Sequence, residues 1–143
     1  MSVVVVGAGQ AGLATSRELT KAGVDHVVLE RGRVAQTWRG RWDSFCLVTP
    51  NWFVRLPDGH YDGPDPDGFM AVPEVVDLLE GYASLVAAPV QEHTTVTSVQ
   101  ALDGGYRVST DDGGDRPHRT ATRADWRGQA TSTVTLVGLV MMS

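Results

Sequence analysis

Residues 2–6 (SVVVV) form an unbroken apolar, β-branched run, the pattern of a parallel strand buried on both faces rather than of a half-exposed one. From Gln10 to about Lys21 the pattern turns helical. Ala11, Ala14 and Leu19 are available to pack on a sheet, and Gly23 is placed to end the helix as a left-handed C′ residue. A second apolar run, HVVLE at 26–30, follows, so strand, helix and strand make one compact βαβ unit with a right-handed crossover. Residues 31–70 have no period and are rich in Trp, Arg, Pro, Asp and Gly; a connection that long is either functional or partly disordered.

Residues 73–86 (PEVVDLLEGYASLV) predict an amphipathic helix with Val75, Leu79, Tyr82 and Val86 on one stripe and Pro73 in its first turn. TTVTSV at 94–99 predicts a third parallel strand. YRVST at 106–110 predicts a β-meander strand, turned by Asp103-Gly104-Gly105, that pairs with it or with a later strand. The pattern stops near Gly113. Residues 114–132 show no apolar periodicity and read as an exposed, unstructured segment, whereas TVTLVGLV at 133–140 predicts a closing strand. The expected fold is therefore α/β, with residues 1–113 as one Rossmann-like but incomplete domain and 114–143 as an atypical tail.

Composition narrows this little. At 143 residues, 42% hydrophobic and 20% charged, the chain is one globular domain. A net charge of −5, with the charges mixed along the chain, argues against nucleic acid, and the four arginines in 114–132 read as part of an exposed segment rather than as an anion patch. Cys46 is the single cysteine and excludes an internal disulfide. There is no run of about 18 apolar residues, so no membrane span is expected. A strand beginning almost at residue 1 leaves no room for a signal peptide, and the expected location is cytoplasmic. Asp62, Asp65 and Asp67 lack calcium-loop spacing, and the four histidines lack ligand spacing, so no metal is expected.

The candidate chemistry lies in VVVVGAGQAG at 3–12. Gly7 permits a tight turn out of the strand. Gly9 lets backbone approach a pyrophosphate, and Gly12 lets the helix close on the strand. Gln10 and Ala11 open the helix, whose free N–H groups and dipole favour an anion. Glu30, 23 residues after Gly7 at the end of the second strand, is placed to accept hydrogen bonds from an adenosine ribose and would repel a 2′-phosphate. FAD and NAD share that half, so the fingerprint leaves the choice open. The plain structural alternative is a glycine-rich turn with Glu30 as a surface charge.

The stretch that follows, ERGRVAQTWRGRWDSFCLVTPNW, together with YDGPDPDGFM and the helix at 73–86, resembles the flavin-containing monooxygenase-like family of FAD-dependent oxidoreductases, in its bacterial flavoprotein branch. The resemblance runs from residue 2 to about 112. It implies FAD as cofactor, with Gly7, Gly9 and Gly12 at the pyrophosphate, Glu30 at the ribose and Arg31 beside the adenosine. Thr37, Trp38 and Trp42 would lie along the pyrophosphate and flavin, and the backbone near Val96 would meet the adenine. It also implies NADPH as reductant and molecular oxygen as oxidant of a soft nucleophile or ketone; the substrate and the catalytic residues are not legible. The residues alone allow Trp38, Trp42 and Trp52 to be packing anchors instead.

The family carries a second glycine motif for NADPH and an Ala-Thr-Gly turn after the meander; this sequence shows neither. The expectation is a truncated chain of poor solubility, the FAD-binding portion of an NAD(P)H-dependent oxidoreductase. It would be inactive alone or completed by a partner chain. A non-catalytic nucleotide-binding module and an NAD-binding domain are the alternatives.

Overall fold

The computed structural model describes residues 2–102, 105–111 and 119–121. β1 (Ser2–Val6) runs parallel to β2 (Asp25–Leu29), with Val4 opposite Val27 and Val6 opposite Leu29. Between them α1 (Gln10–Lys21) crosses the sheet. Its limits are those the sequence predicts, and Gly23 takes the left-handed conformation (φ +66°). The Val24 N–H reaches back to the Leu19 carbonyl at 2.9 Å, which closes the helix end.

The buried face of α1 matches the expected one only in part. Gly12, Leu13 and Ser16 are buried, Leu19 packs half-buried against the core as expected, and Ala11 and Ala14 are half-buried. The reason is distance. Gly12 and Ser16 are small enough to let the helix approach β1, and Leu13 fills the space beside them.

The stretch at 31–70 is ordered by short elements. α2 (Gln36–Arg39) follows a left-handed Ala35, a 3₁₀ turn spans Asn51–Phe53, and β3 (Arg55–Leu56) pairs antiparallel with β4 (Gly59–His60). Buried Asn51 ties the stretch together. Its side chain accepts the Met70 N–H at 2.7 Å and donates to the Asp65 carbonyl at 2.9 Å. α3 (Val72–Leu85) then packs Val75, Val76, Leu79 and Tyr82 into the core beside Val3, Val5, Leu13 and Val28.

The third parallel strand is not the predicted one. It is β5 (Val90–Gln91), two residues long, with Val28 opposite Val90, giving a sheet of order β1-β2-β5. The threonine-rich stretch becomes β6 (Thr95–Leu102), antiparallel to β7 (Gly105–Asp111). Its alternation of exposed Thr95, Thr97 and Val99 with half-buried Val96 and Ser98 suits a sheet with one open face, not a strand covered on both sides. β8 (Arg119–Ala121) pairs antiparallel with β7. Those three residues fall in the stretch read as unstructured, so the antiparallel sheet passes the expected boundary at 113. The turn at Asp103-Gly104, the rest of 114–132 and the expected strand at 133–140 lie outside the described residues. Among the described residues, no helix is long and apolar enough to cross a membrane.

Candidate functional site

The carboxyl ends of β1 and β2 meet the start of α1, and the site is built there. The Gly7 N–H continues the ladder to the Leu29 carbonyl at 2.8 Å, and at φ +95° the chain then leaves the strand. An L side chain is strained at that angle. Gly12 is needed for a different reason. A Cβ there would stand 1.9 Å from the Gly7 carbonyl oxygen, inside any contact distance. Gly9 caps α1 with φ −88° and no side-chain cap, and a Cβ on it would meet nothing within 4 Å. The backbone at Gly9 therefore faces open space just where the first-turn N–H groups of Gln10, Ala11 and Gly12 lack intrahelical partners. Such an arrangement can cradle an anion: first-turn donors without intrahelical partners, the positive end of a helix dipole and no side chain on Gly9.

Glu30 closes the other side. It is 7% exposed, and each carboxylate oxygen accepts one backbone N–H: Oε2 from Ala8 at 2.8 Å and Oε1 from Gly32 at 2.9 Å. These bonds give the buried carboxyl group the polar partners that burial requires. They also weld the glycine turn to the loop after β2. An ionised carboxylate offers about four acceptor positions, so both oxygens keep capacity for the hydroxyls of a sugar.

The same loop is held from two more directions. Ala35 donates to the Ala8 carbonyl at 3.1 Å, and Glu92 accepts the Val34 N–H at 2.8 Å. The 91–94 segment reaches the carboxylate's own backbone, with the Glu30 N–H on the Gln91 carbonyl at 2.9 Å and the Thr94 N–H on the Glu30 carbonyl at 2.8 Å. Gly32 and Glu92 were not singled out from sequence. Glu92 follows a strand too short to show a pattern, so nothing in its surroundings marks it.

The remaining predicted residues divide. Arg31 and Thr37 are exposed near this loop, and Arg31 has no hydrogen bond among the described residues. Trp38 is half-buried against the core and tilts on Phe45 at 5.9 Å between ring centres, as a packing anchor would. Trp42 is 62% exposed and meets Phe45 edge-on at 5.2 Å, while Trp52 is 49% exposed. Neither Trp42 nor Trp52 is a core anchor. Val96 sits opposite Thr110 in the antiparallel sheet, so it is not part of the β1-β2-β5 edge that carries Glu30.

The displaced ionisations lie elsewhere, where α1 and α3 meet the β3–β4 turn. Asp58 is held below the usual carboxylate range by the Lys21 ammonium and the Arg17 guanidinium, at 2.9 Å and 2.7 Å. Lys21 is raised in turn by Asp58 and Glu18. Burial pushes the Tyr82 phenol up, and its hydroxyl donates to the Pro57 carbonyl at 2.7 Å. This cluster fastens the scaffold and is not part of the glycine cradle.

With that geometry in place, the likenesses to known proteins are informative. The family described as pyridine nucleotide-disulphide oxidoreductase matches residues 4–116. An uncharacterized CzcO-like oxidoreductase of Geobacillus kaustophilus is 37% identical over 114 residues, covering 79% of this chain and 32% of that protein. The indole-3-pyruvate monooxygenase YUCCA1 of Oryza sativa is 36% identical over 117 residues, 77% of this chain and 28% of that one. Among solved structures, a flavin-containing monooxygenase from Stenotrophomonas maltophilia superposes with a TM-score of 0.67 at 29% identity, over 83% of this chain and 35% of that chain. The chain thus spans about a third of the length of the curated relatives it matches.

Proposed function

This chain belongs to the pyridine nucleotide-disulphide oxidoreductase family, and from that premise we propose that it is the FAD-binding portion of an NAD(P)H-dependent, flavin monooxygenase-like oxidoreductase. The observation that carries the reading is the joint geometry of Gly9 and Glu30. Open backbone donors stand at one end, and a buried, doubly bonded carboxylate with spare acceptor capacity stands at the other. A diphosphate fits the first and the adenosine ribose the second. FAD, once bound, supplies two-electron redox chemistry. The chain's own part would be to neutralise the diphosphate through the α1 N-terminus and to orient the ribose through Glu30. The likeness to a flavin-containing monooxygenase supports the flavin over a plain NAD site.

Oxidation of a nicotinamide donor and oxygenation of a substrate also need surfaces that bind those two reactants. Catalysis of the whole reaction requires those surfaces to hold the reactants together. The test is to purify the chain, record its visible spectrum and identify the cofactor released on denaturation. FAD in near-equimolar amount is the expected result. A colourless, folded protein that takes up NAD and no FAD would overturn the proposal.

A further inference from the structure

α3 buries Val75, Val76, Leu79 and Tyr82, and beside them it carries a second, more exposed stripe of which only Leu78 packs against the core. The second, Glu74, Asp77, Leu78, Gly81 and Leu85, recurs at helical spacing and looks across a cavity of about 360 Å³ toward the β3–β4 hairpin. Leu56, Met70 and Leu78 give it apolar walls, and Leu85 at its end is 71% exposed. The charged residues lining it are Asp62, Glu74 and Asp77, with His60 as the remaining ionisable group apart from the tyrosines; no Lys or Arg lines it. Glu74 is engaged at the helix start, accepting the Ala71 N–H at 2.9 Å. Asp62 and Asp77 have no hydrogen bond or ion pair among the described residues.

The geometry points to a second binding site, for a small organic cation with a flat apolar body, such as an aryl-methylammonium ion. The volume falls at the small end of small-molecule pockets and excludes a peptide helix. Apolar walls reward an aromatic or alkyl body, and a rim of one sign selects the opposite charge. Gly81 lies in the lining, and a Cβ built there meets nothing within 4 Å, so a larger side chain can be introduced at the groove without its Cβ colliding with the fold. None of the residues that line it belongs to the glycine turn or to Glu30, and the inference stands whether or not the chain binds FAD.

The experiment titrates the purified chain with 2-naphthylmethylammonium, 2-naphthylmethanol and 2-naphthoate by calorimetry. The ammonium should bind best. The neutral alcohol should bind roughly two- to fivefold more weakly, the scale of a partly exposed charge contact, and the acid weakest. Asp77→Asn should bring the ammonium to the level of the alcohol. Gly81→Leu should abolish binding of all three, and added FAD should leave the ammonium affinity unchanged. Equal affinity for the three probes, no detectable ammonium binding, or displacement by FAD would each overturn the proposal. Should Gly81→Leu melt abnormally, Gly81→Ala and the surface change Asp77→Asn decide the matter, since neither disturbs a core contact.

Discussion

Two glycines three residues apart have opposite physical reasons to be glycine, and this separates stability from function. Gly12 is glycine because the fold requires it: a Cβ would press on the Gly7 carbonyl at 1.9 Å. Gly12→Ala should therefore destabilise the chain by about 3 kcal/mol, the upper range for overpacking, read as a lower urea midpoint. Gly9 has φ −88°, which any residue adopts, and open space around its missing Cβ. Gly9→Ala should leave the urea midpoint within about 0.5 kcal/mol of the parent and yet lose retained FAD. A variant that keeps its flavin would mean that no diphosphate approaches this backbone. Both glycines and Glu30 were legible in sequence because a close approach and a fixed carboxylate leave a spacing behind. The partners of Glu30 were not. Ala8 and Gly32 bind it through backbone N–H groups, which any residue can supply, and Glu92, whose carboxylate accepts the Val34 N–H of the same loop, follows a strand too short to show a pattern.

At the scale of elements, long ones announced themselves and short ones did not. The limits of α1 and the stripe of α3 follow from period and capping. β5 is two residues long and has no period to read, and that is why the strand beside β2 was sought four residues too late. The β3–β4 hairpin did leave a signal, the Leu56-Pro57-Asp58-Gly59 turn, inside a stretch otherwise without pattern. Asp58 sits in that turn at φ +59°, gripped by Arg17 and Lys21 of α1. Its carboxyl is depressed in the folded state, so the stabilisation is present above the unfolded value near 3.8 and is lost as pH falls below it through the folded value. Asp58→Asn tolerates the left-handed backbone and removes the charge. Thermal melts from neutral pH down to about pH 2 should show the parent losing its advantage over this variant on the acid side of 3.8. A constant gap between the two across that range would mean that the ion cluster contributes nothing to stability.

For the whole molecule, the telling feature is what remains uncovered. Backbone bonds from Leu47 to Met70, Asn51 to Gly68 and Trp52 to Pro66 hold residues 47–53 beside 66–70. On that paired surface Val48 is 90% exposed, Phe53 60% and Phe69 52%, with Trp52 close behind. The backbone here is well bonded and Asn51 is buried beneath it, so the exposure belongs to a formed surface and not to a frayed loop. Large exposed side chains this close together favour association, because each buries apolar area whenever another apolar surface meets it. With no other protein present, that surface is a second copy of the same chain. Sedimentation velocity across a hundredfold range of concentration should show a coefficient that rises with concentration. The double change Phe53→Ser and Phe69→Ser should hold the chain at the monomer value without altering its flavin content, because neither residue touches the glycine turn or Glu30. If the parent sediments as a monomer at every concentration, the patch is too small or too broken by polar neighbours to drive assembly, and the expectation of poor solubility falls with it.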